Sequence, residues 1–494
     1  MERNKHLLGK LIIGGNIELS SPLLIGCGED YNTDIDVIKD KKGAPFIPAT
    51  SFVGVLKQRF HEILNSGVEK FISDAQFSSI FGDYDDEKTT ASILSCSDLT
   101  LAEDSYSIEV RDGVKISGKT GMAENNSKFD YEVVGAGAKF KLKIEIDLFS
   151  DLRDVSIKEI ENVGGIILKI LKGGINLGAK TNSGLGRAAL KDGRIIFLGF
   201  NKKEDILLWL NDSFMDSSKD CKDNSDLINW YNNIDINGND FVIKVSLAIK
   251  NSLIIRSYSD DPAAPDASHL KSAGKYVISG TSIKGALRAR AERIIRAIAD
   301  GRGESEKSQI FIDALFGNSN VREGVKVDIP SRVIVEEVEI KDVCGEVQSR
   351  IKIDRFTGGV INAALFDSMP VFPIGKESNI KNFVITVKKA TDMDKGLMLL
   401  LLKDLWTGNL AIGGEKNIGR GVFIGKGAII KNLSDRKIGD KPQNEEIRFF
   451  EIHKIPEDVK KEMQGFVDNL NEMPEAELKK YEAIINKHIA DSKK

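Results

Sequence analysis

The chain has 494 residues, 41% hydrophobic and 29% charged, with 45 Gly and 11 Pro, a composition that excludes disordered, collagen-like and membrane-embedded classes. Its 70 Lys and Arg stand against 74 Asp and Glu for a formal charge of −4, so any nucleic-acid surface is local rather than global. Cys27, Cys96, Cys221 and Cys344 lie far apart without zinc spacing or a disulfide framework, which points to a reducing cytoplasm, and neither a signal peptide nor a membrane span is visible.

In chain order, apolar residues show helical spacing over 50–65, then alternate with polar ones over 139–149 (KFKLKIEIDLF), as in a half-exposed antiparallel strand. Helical spacing returns over 156–172, 281–299 and 393–407, and strand alternation over 240–249. Thr50/Ser51 and Thr281/Ser282 are read as the N-caps of their helices. Each half runs strand, long loop, helix, strands, helix, Gly-rich loop, strand. This order predicts an α+β fold of two tandem split-βαβ (ferredoxin-like) cores with insertions. Residues 201–238 read as a polar helical linker, and 440–494 as two amphipathic helices appended after the second core.

Four landmarks occur in one order in both halves. Thr50-Ser51-x-x-Gly54-x-Leu56-Lys57 is matched by Thr281-Ser282-x-x-Gly285-x-Leu287-Arg288, and Phe81-Gly82 by Phe316-Gly317. Lys115-Ile116-x-x-x-Thr120-Gly121, followed by Phe129-Asp130, is matched by Lys352-Ile353-x-x-x-Thr357-Gly358, followed by Phe366-Asp367. A Gly-rich loop ending at Arg187 is matched by one ending at Arg420. The chain is therefore read as two homologous domains, 1–200 and 239–432, joined by the linker 201–238 and followed by a helical extension, 433–494.

Residues Gly113–Thr120 fit the phosphate-loop pattern G-x4-G-K-[ST], but no helix follows to hold phosphates at its N-terminus, and the second copy lacks the glycines and the lysine. An acidic loop precedes each N-terminal helix. Aligned on Lys39 and Lys271, Asp36, Asp40 and Asp30 meet Ser268, Ser272 and Pro262, while Asp34 meets Asp266 and Glu29 meets Asp261. Turn preference alone is the other explanation for these acids. The helix that follows offers free N–H groups to an anion, with Lys57 in the first half and Lys284 and Arg288 in the second. The Gly-rich loops offer a second cradle through Gly184, Gly186 and Gly419, with Lys180, Arg187, Lys416 and Arg420; a tight turn before the last strand is the alternative. Arg290, Arg293 and Arg296 extend the charge of the second helix, and some of it is expected to be a solvated face.

This ordered set resembles the RAMP superfamily over about residues 7–200 and 238–432. Each half resembles a backbone subunit of type III CRISPR effector complexes, and two in one chain resemble the tandem fusion of type III-D-like systems. The resemblance implies a hand-shaped fold on an RNA-recognition-motif core, with guide RNA in the palm and a thumb hairpin that kinks the guide–target duplex. It implies cleavage of complementary target RNA dependent on Mg2+ or Mn2+, with Asp34 and Asp266 as catalytic residues and metal ligands. It places guide RNA, target RNA and other effector subunits as partners, with no membrane. The RNA path is expected to use Lys39, Thr50, Ser51, Lys57, Lys180, Gly184, Gly186 and Arg187, and Lys271, Thr281, Ser282, Lys284, Arg288, Lys416, Gly419 and Arg420. Two departures stand out: Val53 replaces the family's lysine, present as Lys284 in the second half, and His269 stands where the first loop has Val37. Two rival readings remain, a non-catalytic guide-binding scaffold and a metal-independent guide-precursor-processing endonuclease using histidine as base. For the latter, His269 alone lies in a candidate loop.

Overall fold

The computed structural model describes residues 6–28, 32–65, 72–84, 89–118, 120–150, 156–211, 240–258, 263–301, 305–322, 325–375, 379–433, 437–438, 441–442, 446–449 and 455–492. The chain divides into two compact units, one of Met1–Val110, Asp130–Thr181 and Leu185–Gly238, the other of Arg111–Phe129, Asn182–Gly184 and Asn239–Lys494.

The first unit is built on β1 (Leu7–Leu19), α1 (Ala49–Leu64), α2 (Asp74–Phe81), β2 (Leu94–Cys96), the start of β3 (Ile108–Ile116) and the end of β4 (Ala123–Val134), a strand pair whose stretch from Arg111 to Phe129 is assigned to the other unit, β5 (Lys139–Phe149), α3 (Ile157–Gly173), β6 (Ile175–Asn176), β7 (Arg187–Gly199) and α4 (Lys203–Leu210). Its five-stranded sheet has the order β2-β5-β1-β7-β6, antiparallel throughout. With β6 set aside, this is the split-βαβ order in which the first strand lies between the last and the third. Alternation along β1 explains its central place: Leu11, Ile13 and Ile17 face a core closed by α1, α2 and α3, while Ile12 joins Ile196 and Leu198 under Trp209 of α4 on the opposite face. The start of the expected linker thus forms a helix on the back of this sheet. Gly164 lets α3 lie close to the sheet, since a β-carbon there would sit 2.6 Å from Ile195 Cδ1.

The second unit repeats the plan with β8 (Phe241–Ile249), α5 (Gly280–Asp300), α6 (Ser305–Phe316), β9 (Val333–Val335), the hairpin β10 (Gln348–Ile353) and β11 (Val360–Met369), β12 (Ile380–Val387), α7 (Asp392–Thr407), β13 (Phe423–Lys431), β14 (Glu446–Phe449), α8 (Glu457–Glu472) and α9 (Glu475–Ser492). Its main sheet has the order β9-β12-β8-β13-β14, again antiparallel. The two C-terminal helices complete this core. Leu470, Met473, Leu478, Tyr481 and Ile485 are buried in it, and the Tyr481 hydroxyl donates to Asp394 Oδ1, which Arg332 also holds. α8 crosses α7 at Gly396, where a β-carbon would lie 2.3 Å from the Phe466 carbonyl oxygen.

Both K-I-x-x-x-T-G motifs run into hairpin turns, with Gly121 and Gly358 each at φ 70. Of the phosphate-loop look-alike, Gly113–Ile116 is therefore strand, and Gly118 and Thr120 lie in the turn, while Lys119 lies outside the described residues. The capping residues differ from expectation: α1 is preceded by Pro48 and α5 is capped by Ser279, whose side chain accepts the Ser282 N–H. Thr50/Ser51 and Thr281/Ser282 lie instead within the first helical turns, because proline's fixed φ and the Ser279 hydroxyl start each helix two or three residues earlier.

Candidate active site

The first acidic loop is shaped by one aspartate and presents another. Asp36 is buried, and its carboxylate accepts the N–H groups of Asn32 and Thr33, each at 3.0 Å, and the Thr33 hydroxyl at 2.8 Å. This turn sends Asp34 to the surface. There Asp34 Oδ2 accepts the Asp130 N–H at 3.0 Å, and Asp130 Oδ1 accepts the Asp34 N–H at 2.9 Å. Two residues along β4, on the same side of the strand, Glu132 accepts the Val37 N–H at 3.2 Å and the Lys39 ammonium at 2.8 Å. The intervening Tyr131 points into the core, and the Lys180 ammonium sits 3.6 Å from its ring centroid. Burial lowers the pKa of that lysine to about 8.

The second half repeats the central feature. Asp266 is exposed at the start of a short strand, Ala267–His269, that pairs in parallel with β11, and its Oδ2 accepts the Asp367 N–H at 2.8 Å. Asp367 Oδ1 is buried and has no hydrogen-bond partner among the described residues. Glu29, Asp30 and Asp261 lie outside the described residues. Asp130 and Asp367 were in view as part of the Phe-Asp landmark, but only the fold brings them to Asp34 and Asp266.

His269 is 2% exposed, a strut beneath the loop. Its Nε2 lies 2.9 Å from the Val277 carbonyl oxygen, to which it donates, and its Nδ1 accepts the Ile255 N–H at 3.2 Å. Burial pushes its pKa down to about 4. A neutral ring with both nitrogens engaged inside the protein has no access to an RNA hydroxyl, which removes the residue on which the precursor-processing reading depended.

The basic residues divide into exposed and engaged sets. Lys57 donates to the Gly82 carbonyl at 2.6 Å and, with Gly54, Gln58, His61, Asp74, Phe77, Ser78 and Asp83, lines an open groove of about 470 Å3 in the first unit. Thr50 is exposed and Ser51 half-buried, while the Asp98 carboxylate accepts the Ala49 N–H at 2.8 Å, which places a negative charge at the start of α1. In the second unit Thr281 is exposed and bonded to Ser279, as is the half-buried Ser282. Lys284 lies 3.5 Å from the Asn182 carbonyl, and burial lowers its pKa to about 8. Arg288 bonds Glu292, Asp313 and the Gly317 carbonyl, and Arg290 bonds Asp404, whereas Arg293 and Arg296 are exposed. Lys271 is exposed, 4.8 Å from the Tyr276 ring centroid.

The Gly-rich loops superpose differently from their Gly-Arg endings. Left-handed residues occur at Gly178, Lys180, Gly184 and Gly186 in one and at Gly413, Glu415, Gly419 and Gly421 in the other, with matching short helices at Thr181–Ser183 and Lys416–Ile418. Leu177 N–H bonds the Gly186 carbonyl as Ile412 N–H bonds that of Gly421. Lys180 therefore corresponds to Glu415, and Arg187 to Val422. Arg187 and Lys416 are exposed, but Arg420 is 3% exposed and bonded to Glu415, Ser252 and Gln348. Glu415 also pairs with Arg350 at 2.7 Å and Arg256 at 3.3 Å; burial raises its carboxyl pKa, but Arg420 and Arg350 outweigh it and hold the carboxyl below the usual carboxylate range.

Among the described residues no three His, Cys, Asp or Glu side chains converge on one metal position, and no helix is long and apolar enough to cross a membrane. No curated protein matches the chain. The RAMP superfamily matches residues 16–189 and again 249–424, so that the two matched regions contain Asp34 with Asp130 and Asp266 with Asp367. The chain belongs to the RAMP superfamily, carrying its domain twice in tandem, and with it to the CRISPR-associated RNA-binding subunits.

Proposed function

We propose that the chain is a backbone subunit of a type III CRISPR ribonucleoprotein effector, close to type III-D, that binds guide RNA and cleaves the paired target RNA at two sites. The observation that carries this reading is the doubled presentation of one exposed loop aspartate, Asp34 and Asp266, hydrogen-bonded to the hairpin strand of its own half. A duplication that kept only structural acids would have no need to keep these two at the surface. Sequence specificity comes from base pairing, with the protein contacting backbone and shape.

In the reaction proposed, the 2′-oxygen attacks the adjacent phosphorus, a 2′-O–P bond forms as the P–O5′ bond breaks, and the products are a 2′,3′-cyclic phosphate and a 5′-hydroxyl. Asp34 or Asp266, with Oδ2 held by a backbone N–H, has Oδ1 to accept the 2′-hydroxyl proton, while water protonates the leaving oxygen. A carboxylate alone is a weak base for this step. The donor set fits Mg2+ or Mn2+: each loop supplies hard oxygens from Asp34 or Asp266, one or two carboxylates suffice beside substrate phosphates, and in the second half the buried Asp367 Oδ1, without a partner among the described residues, is an oxygen that a cation would satisfy. When bound, such an ion supplies neutralisation of the phosphate charge and acidifies the attacking hydroxyl.

The test is the fragment pattern of a guide-paired, end-labelled target in the assembled complex. Asp34→Ala and Asp266→Ala are each expected to remove one cut and leave RNA binding intact. An unchanged pattern, with cleavage insensitive to EDTA, would favour the scaffold reading.

A further inference from the structure

We propose that Asp130 is the positioning residue of the first site, fixing the pose of Asp34; this rests on the reading of Asp34 as the cleaving carboxylate. Asp34 stands in a loop, where a side chain and its backbone would sample many conformations, whereas Asp130 stands on β4 at the point where the strand becomes buried. The two residues close a ring of two hydrogen bonds, each carboxylate accepting the other's N–H, at 2.9 and 3.0 Å. One bond sets the orientation of the Asp34 carboxylate, and the other pins the backbone that carries it. A reacting group supported in this way from a regular element is held more closely than one on a free loop.

The second half isolates the contribution of the side chain. There the strand amide still donates to the loop carboxylate, from Asp367 to Asp266, but among the described residues the Asp367 carboxylate makes no return bond to the loop. The amide contact is common to both copies, whereas among the described residues the side-chain clasp is made in the first alone. Any acceptor of the same length should therefore serve at position 130, and the charge should not matter to positioning.

The experiment compares wild type, Asp34→Ala, Asp130→Ala and Asp130→Asn in the assembled complex, with single-turnover rates measured for each cut across target concentrations. Asp130→Ala is expected to slow the Asp34-dependent cut by about 10- to 100-fold, the cost of a reacting group displaced by roughly 1 Å, with the half-saturating target concentration and the Asp266-dependent cut unchanged. Asp130→Asn, whose amide oxygen still accepts the Asp34 N–H, should stay within about 3-fold of wild type. Hydrogen exchange at the Asp34 amide should be slow in wild type and Asp130→Asn and fast in Asp130→Ala, independently of catalysis. A wild-type rate in Asp130→Ala overturns the proposal. So does an Asp130→Asn as slow as Asp130→Ala, which would mean that the charge matters, or equal damage to both cuts, which would mean a general structural role. Asp34→Ala with both cuts intact would refute the cleaving role itself, and the exchange data would still report whether the clasp exists.

Discussion

Gly54 and Gly285 occupy the same landmark position within α1 and α5, both exposed, and a β-carbon built on either meets no atom within 4 Å. In a helix interior glycine costs about 0.8–1 kcal/mol relative to alanine. Gly54→Ala and Gly285→Ala should therefore each stabilise their unit by about that amount and raise its melting temperature by roughly 2–4 °C. A cost paid twice at one position calls for a benefit, and under the proposed function the benefit is close approach of an RNA backbone to the helix. A methyl group in that path, costing about 1–3 kcal/mol of strain, lowers guide affinity by roughly 5- to 150-fold. The assay is thermal unfolding of the chain beside guide-RNA titration at one fixed salt concentration. Absence of stabilisation would refute the argument that the space is open. Stabilisation with unchanged affinity would refute the reason given for the glycines.

Gly396→Ala should act in the opposite sense, since its β-carbon would press on a backbone carbonyl that cannot swing away. Overpacking of about 1–3 kcal/mol outweighs a helix gain of about 1 kcal/mol, whereas Gly465→Ala in α8, with open space around it, should stabilise by about 1 kcal/mol. Denaturant titrations in which both variants shift alike would contradict the close crossing of α7 and α8. His269, buried and neutral, has a folded-state pKa below its unfolded value, so the unfolded chain binds the extra proton. Its contribution to stability is complete above about pH 6.5 and is lost as the pH falls toward about 4, by up to about 3 kcal/mol. Unfolding free energy measured against pH should lose that slope in His269→Gln, and an unchanged slope would show that the ring is not held neutral.

Periodicity in the sequence reached the scaffold well because the demands it reports are local. The two-faced alternation of β1 and the apolar stripes of α1, α3, α5 and α7 each mark one buried surface. Repetition narrowed the loop acids to two positions per half, Asp34 with Asp266 and Glu29 with Asp261, and set aside turn acids such as Asp36 that do not recur; the family resemblance made the choice between the two. Features that depend on distant partners were out of reach. Nothing local announces that Asp130 meets Asp34, that three arginines meet at Glu415, or that Tyr481 closes a core around Asp394. The Gly-Arg endings misled because residue identity outvoted backbone conformation; the left-handed positions define the true correspondence. Ala267 and His269, two apart on a strand and both buried, carried a weak sign that the histidine faces inward.

That correspondence sets a limit on interchangeability. At one equivalent bend the first half carries a cation cradled by an aromatic ring, and the second an anion that consumes three guanidinium groups. A chimera made from two copies of either half would preserve the path of the chain but not its charge. With Lys180 grafted in place of Glu415, Arg256, Arg350 and Arg420 would lose their common counter-ion and crowd one another instead.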